Sequence, residues 1–241
     1  MTFHKHLIVA VMAGLFSVGL GAGLAHAGEP NTLSDQEKKD GWKLLFDGKS
    51  LDGWNSWKTK QPLEAGMWQV KDGALTLTGK GGGDVYTAEP YENFEFVVEW
   101  KTTGNSGIFI RVDPSVKGAI YSVAPEVQVM PDNANDTKST SGGGLYALYD
   151  MTVKEKKIDP KGWNEMRIKI VDGHGEHWFN GDKIADYQIG SEDWKKTVLN
   201  SKFKKAVDTF GMNANGHLGF QDHGHAVQFR NIKIRELPSA K

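Results

Sequence analysis

From Met67 onward, apolar and polar residues alternate in short runs. Met67-Trp-Gln-Val70 and Ala74-Leu-Thr-Leu77 flank a Lys-Asp-Gly turn, which predicts a hairpin. Phe94 to Trp100, Gly107 to Val112, Pro125 to Met130 and Met166 to Val171 follow as further strands of period two. Glu176-His-Trp-Phe179 runs into Asn180-Gly181, the residue pair a type I′ turn prefers, and hands over to Lys183 to Tyr187. The chain closes with strands over His217 to Phe220 and Ala226 to Ile234.

Two segments have helical patterning. Ser34-Asp-Gln-Glu37 is a capping box and predicts a short helix ending near Gly41. Ser191 to Phe203 puts Trp194, Val198 and Leu199 on one helical face, with Ser191 as N-cap. The polar stretch Pro131 to Gly144 reads as a long loop. The pattern predicts one all-β domain, a sandwich by base rate, over about 41–238, with short peripheral helices and a preceding segment at 28–40.

The N-terminus has separate patterning. His4, Lys5 and His6 precede an apolar run from Leu7 to Leu24 and then Ala25-His26-Ala27, as in a secretory signal peptide cleaved after Ala27. The expected location is therefore periplasmic or secreted, with no membrane attachment after cleavage. An uncleaved anchor is the rival, which the small residues and the cleavage triplet disfavour. The chain has no cysteine, which excludes disulfides and thiolate-bound metal. Charge is balanced, with 29 Lys+Arg against 30 Asp+Glu and no basic patch, so nucleic acid is not an expected partner. Most of the eight Trp are expected in the core, with some left for stacking on sugars.

Alternation assigns faces to the polar residues. Ile108, Ile110 and Val112 share one face, so Phe109 and Arg111 point the other way. Val127 and Val129 face inward, leaving Glu126 and Gln128 opposite. Leu218 and Phe220 face the core, while Gly219, Gln221 and His223 do not. If these strands are neighbours, an Arg, a Glu, two amides and a His line one surface. His223 is the natural proton shuttle near neutral pH, and His177 is a second candidate. His174 is expected to be exposed and idle, and the His174-x-x-His177 spacing on a hairpin does not converge on a metal. Asp132, Asn133, Asn135 and Asp136 form an oxygen-rich cluster without the ordered spacing of a calcium loop, and read better as a solvated loop. Neither a metal nor a cofactor is expected.

Several of these runs together are similar to the 3-keto-disaccharide hydrolase domain family. They are Gly41 to Trp54, Gly104-Asn-Ser-Gly-Ile-Phe-Ile-Arg111, Glu126-Val-Gln-Val129, Gly162-Trp-Asn164, His177-Trp-Phe-Asn-Gly181 and Gly219-Phe-Gln-Asp-His-Gly224. They occur in order across nearly the whole chain after the leader. The resemblance implies a concanavalin A-like jelly-roll sandwich with its site on the concave sheet. It also implies cleavage of glycosides already oxidised at carbon 3, by proton abstraction at carbon 2, elimination and rehydration. A separate sugar 3-dehydrogenase would supply the oxidised substrate. On this reading His223 or His177 is the base, Glu126 handles the leaving-group proton and Arg111 steadies the enolate oxygen. Gln128, Gln221, Tyr146, Phe109 and Asp222 complete the substrate site. Two rivals remain. A conventional glycosidase needs paired carboxylates, but Gln128 follows Glu126 on the same face and position 131 is Pro. A non-catalytic lectin-like module needs no titratable cluster.

Overall fold

The computed structural model describes residues 29–240. The predicted leader lies outside the described residues. The strands are β1 (Lys43–Leu44), β2 (Trp54–Ser56), β3 (Trp68–Lys71), β4 (Ala74–Leu77), β5 (Val85–Thr87), β6 (Phe94–Thr102) and β7 (Ser106–Val112). They continue with β8 (Glu126–Val129), β9 (Asn164–Val171), β10 (His174–Phe179), β11 (Asp182–Gln188), β12 (His217–Phe220) and β13 (Val227–Glu236). Helix α1 spans Asp35–Lys39 and α2 spans Glu192–Leu199.

These strands form two antiparallel sheets. The larger has the order β11-β10-β9-β6-β13-β4-β3, with β1 also on β13, and the smaller has the order β2-β5-β12-β7-β8. The result is an all-β jelly-roll sandwich with short peripheral helices. Its main core lies between the sheets, where Phe96, Trp100, Ile168 and Phe229 of the larger sheet meet Ile108, Ile110, Val127 and Phe220 of the smaller. Burying such alternating apolar faces is the main force that holds the sheets together. The outer face of the larger sheet instead carries ion pairs, Arg167 and Arg235 on Glu95 and Arg230 on Glu99.

Local chemistry explains the boundaries. Asn180-Gly181 has φ of 44° and 88°, the left-handed pair that a type I′ turn requires, and Asp72-Gly73 and Asp172-Gly173 repeat it. Ser34 and Glu37 form the reciprocal capping box on α1, and the Ser191 hydroxyl caps α2. Trp194 and Val198 are buried as expected, but Leu199 is 52% exposed because the helix ends there. The short strands β1, β2 and β5 carry too few residues for a periodic signal.

The smaller sheet has a second, outward-facing apolar cluster. Trp57, Tyr86, Phe109, Val112, Ile120 and Ala124 pack together outside the main core. Segment 113–125, with a single 3-10 turn at Ile120–Ser122, closes over this part of the sheet. One half of the sheet's outer face is thus filled by the chain itself. The other half holds the polar residues.

Candidate active site

The polar half begins with β8. Val127 and Val129 enter the main core, so Glu126 and Gln128 point outward. Glu126 is paired with Phe109, and Gln128 with Gly107, on the neighbouring β7. A side chain at Gly107 would overlap the Glu126 carboxylate, so glycine there leaves room for Glu126 to lie across β7. That places the carboxyl beside Gln221, whose backbone N–H bonds to Gly107 O at 3.0 Å. Asn105, Tyr121, Glu126, Gln128, Tyr146, Lys202, Gln221 and His223 line a pocket of about 250 Å³.

Hydrogen bonds brace this lining. Gln128 Nε2 donates to Asn105 Oδ1 at 2.6 Å, and Tyr146 N donates to Glu126 O at 2.8 Å. The Gln221 side chain bonds to the Glu126 carboxyl. Gln221 Oε1 is buried without a partner, an acceptor suited to a ligand hydroxyl. The Lys202 ammonium lies 4.1 Å from the Tyr146 ring and 5.7 Å from that of Tyr121.

Burial dominates the electrostatics of Glu126 and pushes its pKa up to about 8. The Lys202 charge opposes this, the Asp84 charge adds to it, and the Gln221 hydrogen bond opposes it. Asp84 is itself raised to about 6 by burial, against the hydrogen bond it accepts from Asp222 N. Glu126 is therefore mostly protonated at pH 7 and can give or take a proton near neutrality.

A family profile described as "3-keto-alpha-glucoside-1,2-lyase-like domain" matches residues 41–235. The chain belongs to that family. It is 32% identical to a 3-keto-disaccharide hydrolase of Bacteroides thetaiotaomicron, over 88% of this chain and 83% of that protein. A solved structure from Parabacteroides distasonis, assigned as a glycosyl hydrolase, shares 35% identity. It superposes with a TM-score of 0.77 over 87% of this chain and all of the other. A second assigned glycosyl hydrolase from the same organism gives 26% identity and 0.62, over 81% and 99%.

In this member of the family, the pocket gathers Glu126, Gln128, Gln221, Tyr146 and His223 of the residues expected from sequence. It does not gather the other four. Arg111 has φ of 56° and sits where the β7–β12 register shifts, so the bulge exchanges it with Val112 and breaks the alternation. Its guanidinium donates to Gly211 O at 3.0 Å, away from Glu126, and burial lowers its pKa. His177 lies on β10 of the other sheet, fully buried, with Nε2 2.8 Å from the Tyr187 hydroxyl. Burial pushes its pKa down to about 3. Phe109 shares the face of Glu126 but lies under Ile120 in the second apolar cluster, closed to a substrate.

Asp222 ties the loop at Gly81 and Gly83 by accepting both backbone N–H groups at 3.0 and 2.8 Å. It is a loop anchor. The Asp132 loop is not simply solvated either, because the buried Lys156 ammonium pairs with Asp132. Asn105, Tyr121 and Lys202 in the pocket, and Asp84 behind it, were not among the expected site residues. Only Asn105 carries a signal in sequence, since it lies within the Gly104-Asn-Ser-Gly run. Lys202 and Tyr121 sit on irregular segments where no periodicity assigns a face.

Proposed function

We propose that this pocket cleaves 3-keto-glycosides by elimination and rehydration. The observation that carries this reading is a single buried, proton-bearing carboxyl, Glu126, in a pocket otherwise lined by amides, tyrosines, a lysine and a histidine. Family membership and the named Bacteroides relative support an enzyme of the carbohydrate hydrolase or lyase kind.

A ketone at carbon 3 acidifies the hydrogen on carbon 2. His223, exposed at the pocket's edge, takes that proton, and the electron pair moves onto the ketone oxygen as an enolate. The Lys202 ammonium offsets the charge on that oxygen, the role that the sequence suggested for Arg111. Collapse of the enolate forms the carbon 1–carbon 2 double bond and breaks the glycosidic bond, with Glu126 protonating the departing oxygen. Water then adds to carbon 1 as the Glu126 carboxylate takes its proton. The imidazolium of His223 returns a proton to carbon 2. The sum is one water consumed and one alcohol and one 3-keto sugar released. Gln128, Gln221, Asn105 and Tyr146 hold the sugar hydroxyls.

Conventional hydrolysis would need a second carboxylate across the bound sugar, and the pocket lining offers Glu126 alone. A lectin-like module would have no use for a carboxyl poised near neutrality. The deciding experiment offers purified protein a chromogenic 3-keto-glucoside beside the unoxidised glucoside. Release from the 3-keto substrate alone is expected. Release from the unoxidised sugar would replace the proposal with ordinary hydrolysis, and binding of either without release would leave a lectin-like module. Export of the mature protein to the periplasm or medium, and its supply by a separate sugar 3-dehydrogenase, belong to the same proposal.

A further inference from the structure

Of the two tyrosines in the pocket lining, Tyr121 is the exposed one, at 47%. It sits on the 3-10 turn Ile120–Ser122, whose first residue, Ile120, is fully buried in the second apolar cluster. The Ser122 hydroxyl and backbone N–H both bond to Ala119 O, at 2.6 and 3.0 Å, and Val123 O accepts from Gly211 N at 2.8 Å. The exposed aromatic residue is therefore held on an anchored mount in the pocket lining. Exposing a large ring next to a polar pocket leaves apolar area uncovered unless a ligand covers it.

The space around the ring sets what can lie there. The pocket's 250 Å³ is below the roughly 300–1,000 Å³ usual for drug-sized ligands, which suits one sugar ring. On the same sheet face, Trp57, Tyr86 and Phe109 are packed under Ile120, so a substrate cannot extend along the sheet in that direction. The Lys202 ammonium lies near both tyrosine rings, of which Tyr121 is exposed and Tyr146 half-buried. Tyr121 is thus the exposed aromatic member of the pocket lining, beside the exposed Lys202 and His223.

We propose that Tyr121 is the platform for the leaving group: one pyranose fills the pocket, and a ring aglycone, sugar or aryl, stacks on Tyr121. This rests on the pocket being the reaction site. It predicts that the enzyme acts on small glycosides and chain ends, because segment 113–125 blocks a strand of sugars running through the site.

The test pairs two substrates with one variant. Tyr121→Ala is expected to lower kcat/KM about tenfold on a 3-keto-disaccharide and on a nitrophenyl 3-keto-glucoside, the upper range for one aromatic stacking partner. Methyl 3-keto-glucoside, which has no second ring, should change less than twofold. Tyr121→Trp should restore the ring substrates. Equal losses on methyl and ring substrates would show a merely structural role and overturn the proposal. If wild-type protein turns over none of these, the reaction proposed above has failed, and calorimetry with the same ligands still decides the platform. A ring-dependent affinity lost in Tyr121→Ala supports it, and no ring dependence overturns it.

Discussion

Glu126 and His177 are both ionisable groups buried on strands, and burial holds both neutral around pH 7. Their surroundings differ. His177 lies inside the sandwich, its ring edge-on to Tyr187 at 5.3 Å and bonded to the same residue's hydroxyl. Glu126 lies on the outer face of the smaller sheet, where the bare backbone of Gly107 gives it room and a pocket opens over it. The lesson is that a perturbed pKa records desolvation, which a core and an active site share. What separates them is access, together with polar groups that a substrate can meet.

Removing each group in turn tests the difference between them most directly. Glu126→Gln should lower turnover of a 3-keto-glucoside by about 10²–10⁴-fold, as for loss of a general acid or base, while sugar affinity stays within a few fold. His177→Gln should leave turnover within about threefold and instead lower the melting temperature, because a buried hydrogen-bonded group has been disturbed. Steady-state kinetics and thermal melts on both variants read this out. Comparable losses of turnover would mean that the buried histidine belongs to the mechanism after all.

Gly107→Ala is the next largest effect expected. A methyl group there overlaps the Glu126 carboxylate, which is the movable end of a side chain. The carboxyl should shift and the fold should survive. We expect turnover to fall by about 10–100-fold, the cost of misplacing a catalytic group by roughly an ångström, with the circular dichroism spectrum unchanged. Retained turnover would show that Glu126 need not lie over β7.

A pH series separates the two groups further, since they act in opposite senses. Glu126 must be protonated to serve a leaving group, so turnover should fall about tenfold per unit above pH 8. Its folded pKa is above the unfolded value of 4.5. Its contribution to stability is therefore full below pH 4.5 and is lost as pH rises toward 8. His177 is the reverse: its folded pKa, about 3, is below the unfolded value of 6.5. Its contribution is full above pH 6.5 and is lost as pH falls toward 3. Melting temperature against pH should lose its acid slope in His177→Gln and its slope between pH 4.5 and 8 in Glu126→Gln. Unchanged slopes would detach these groups from the pH response.

Much of this arrangement is legible in the alternation of the chain. Val127 and Val129 on one side fix Glu126 and Gln128 on the other, and Asn180-Gly181 fixes a hairpin, because both follow from local geometry. Arg111 misleads because a bulge shifts parity by one residue, and nothing in Ile108 to Val112 announces it. His177 misleads for another reason. Parity gives the face of a strand, but not which sheet it joins or whether that face is open. Phe109 has the correct face, yet segment 113–125 covers it, a contact between residues with no shared pattern. Lys202 and Tyr121 enter the pocket from irregular segments whose direction only the packed chain determines.

The smallest effect expected concerns the sealed His177–Tyr187 pair. Tyr187→Phe keeps the ring, which stacks on Tyr149 and Trp194, and removes only the hydroxyl that pairs with His177 Nε2. His177 Nδ1 is already without a partner, so the variant leaves both ring nitrogens unsatisfied in a fully buried site. Stranding a buried polar group costs about 1–3 kcal/mol, which a denaturant titration resolves as a lower midpoint at unchanged slope. Turnover should stay within twofold, because neither residue lines the pocket over Glu126. A tenfold loss of turnover with stability intact would connect the interior pair to the chemistry on the far side of the smaller sheet, and the separation of the two sites would have to be abandoned.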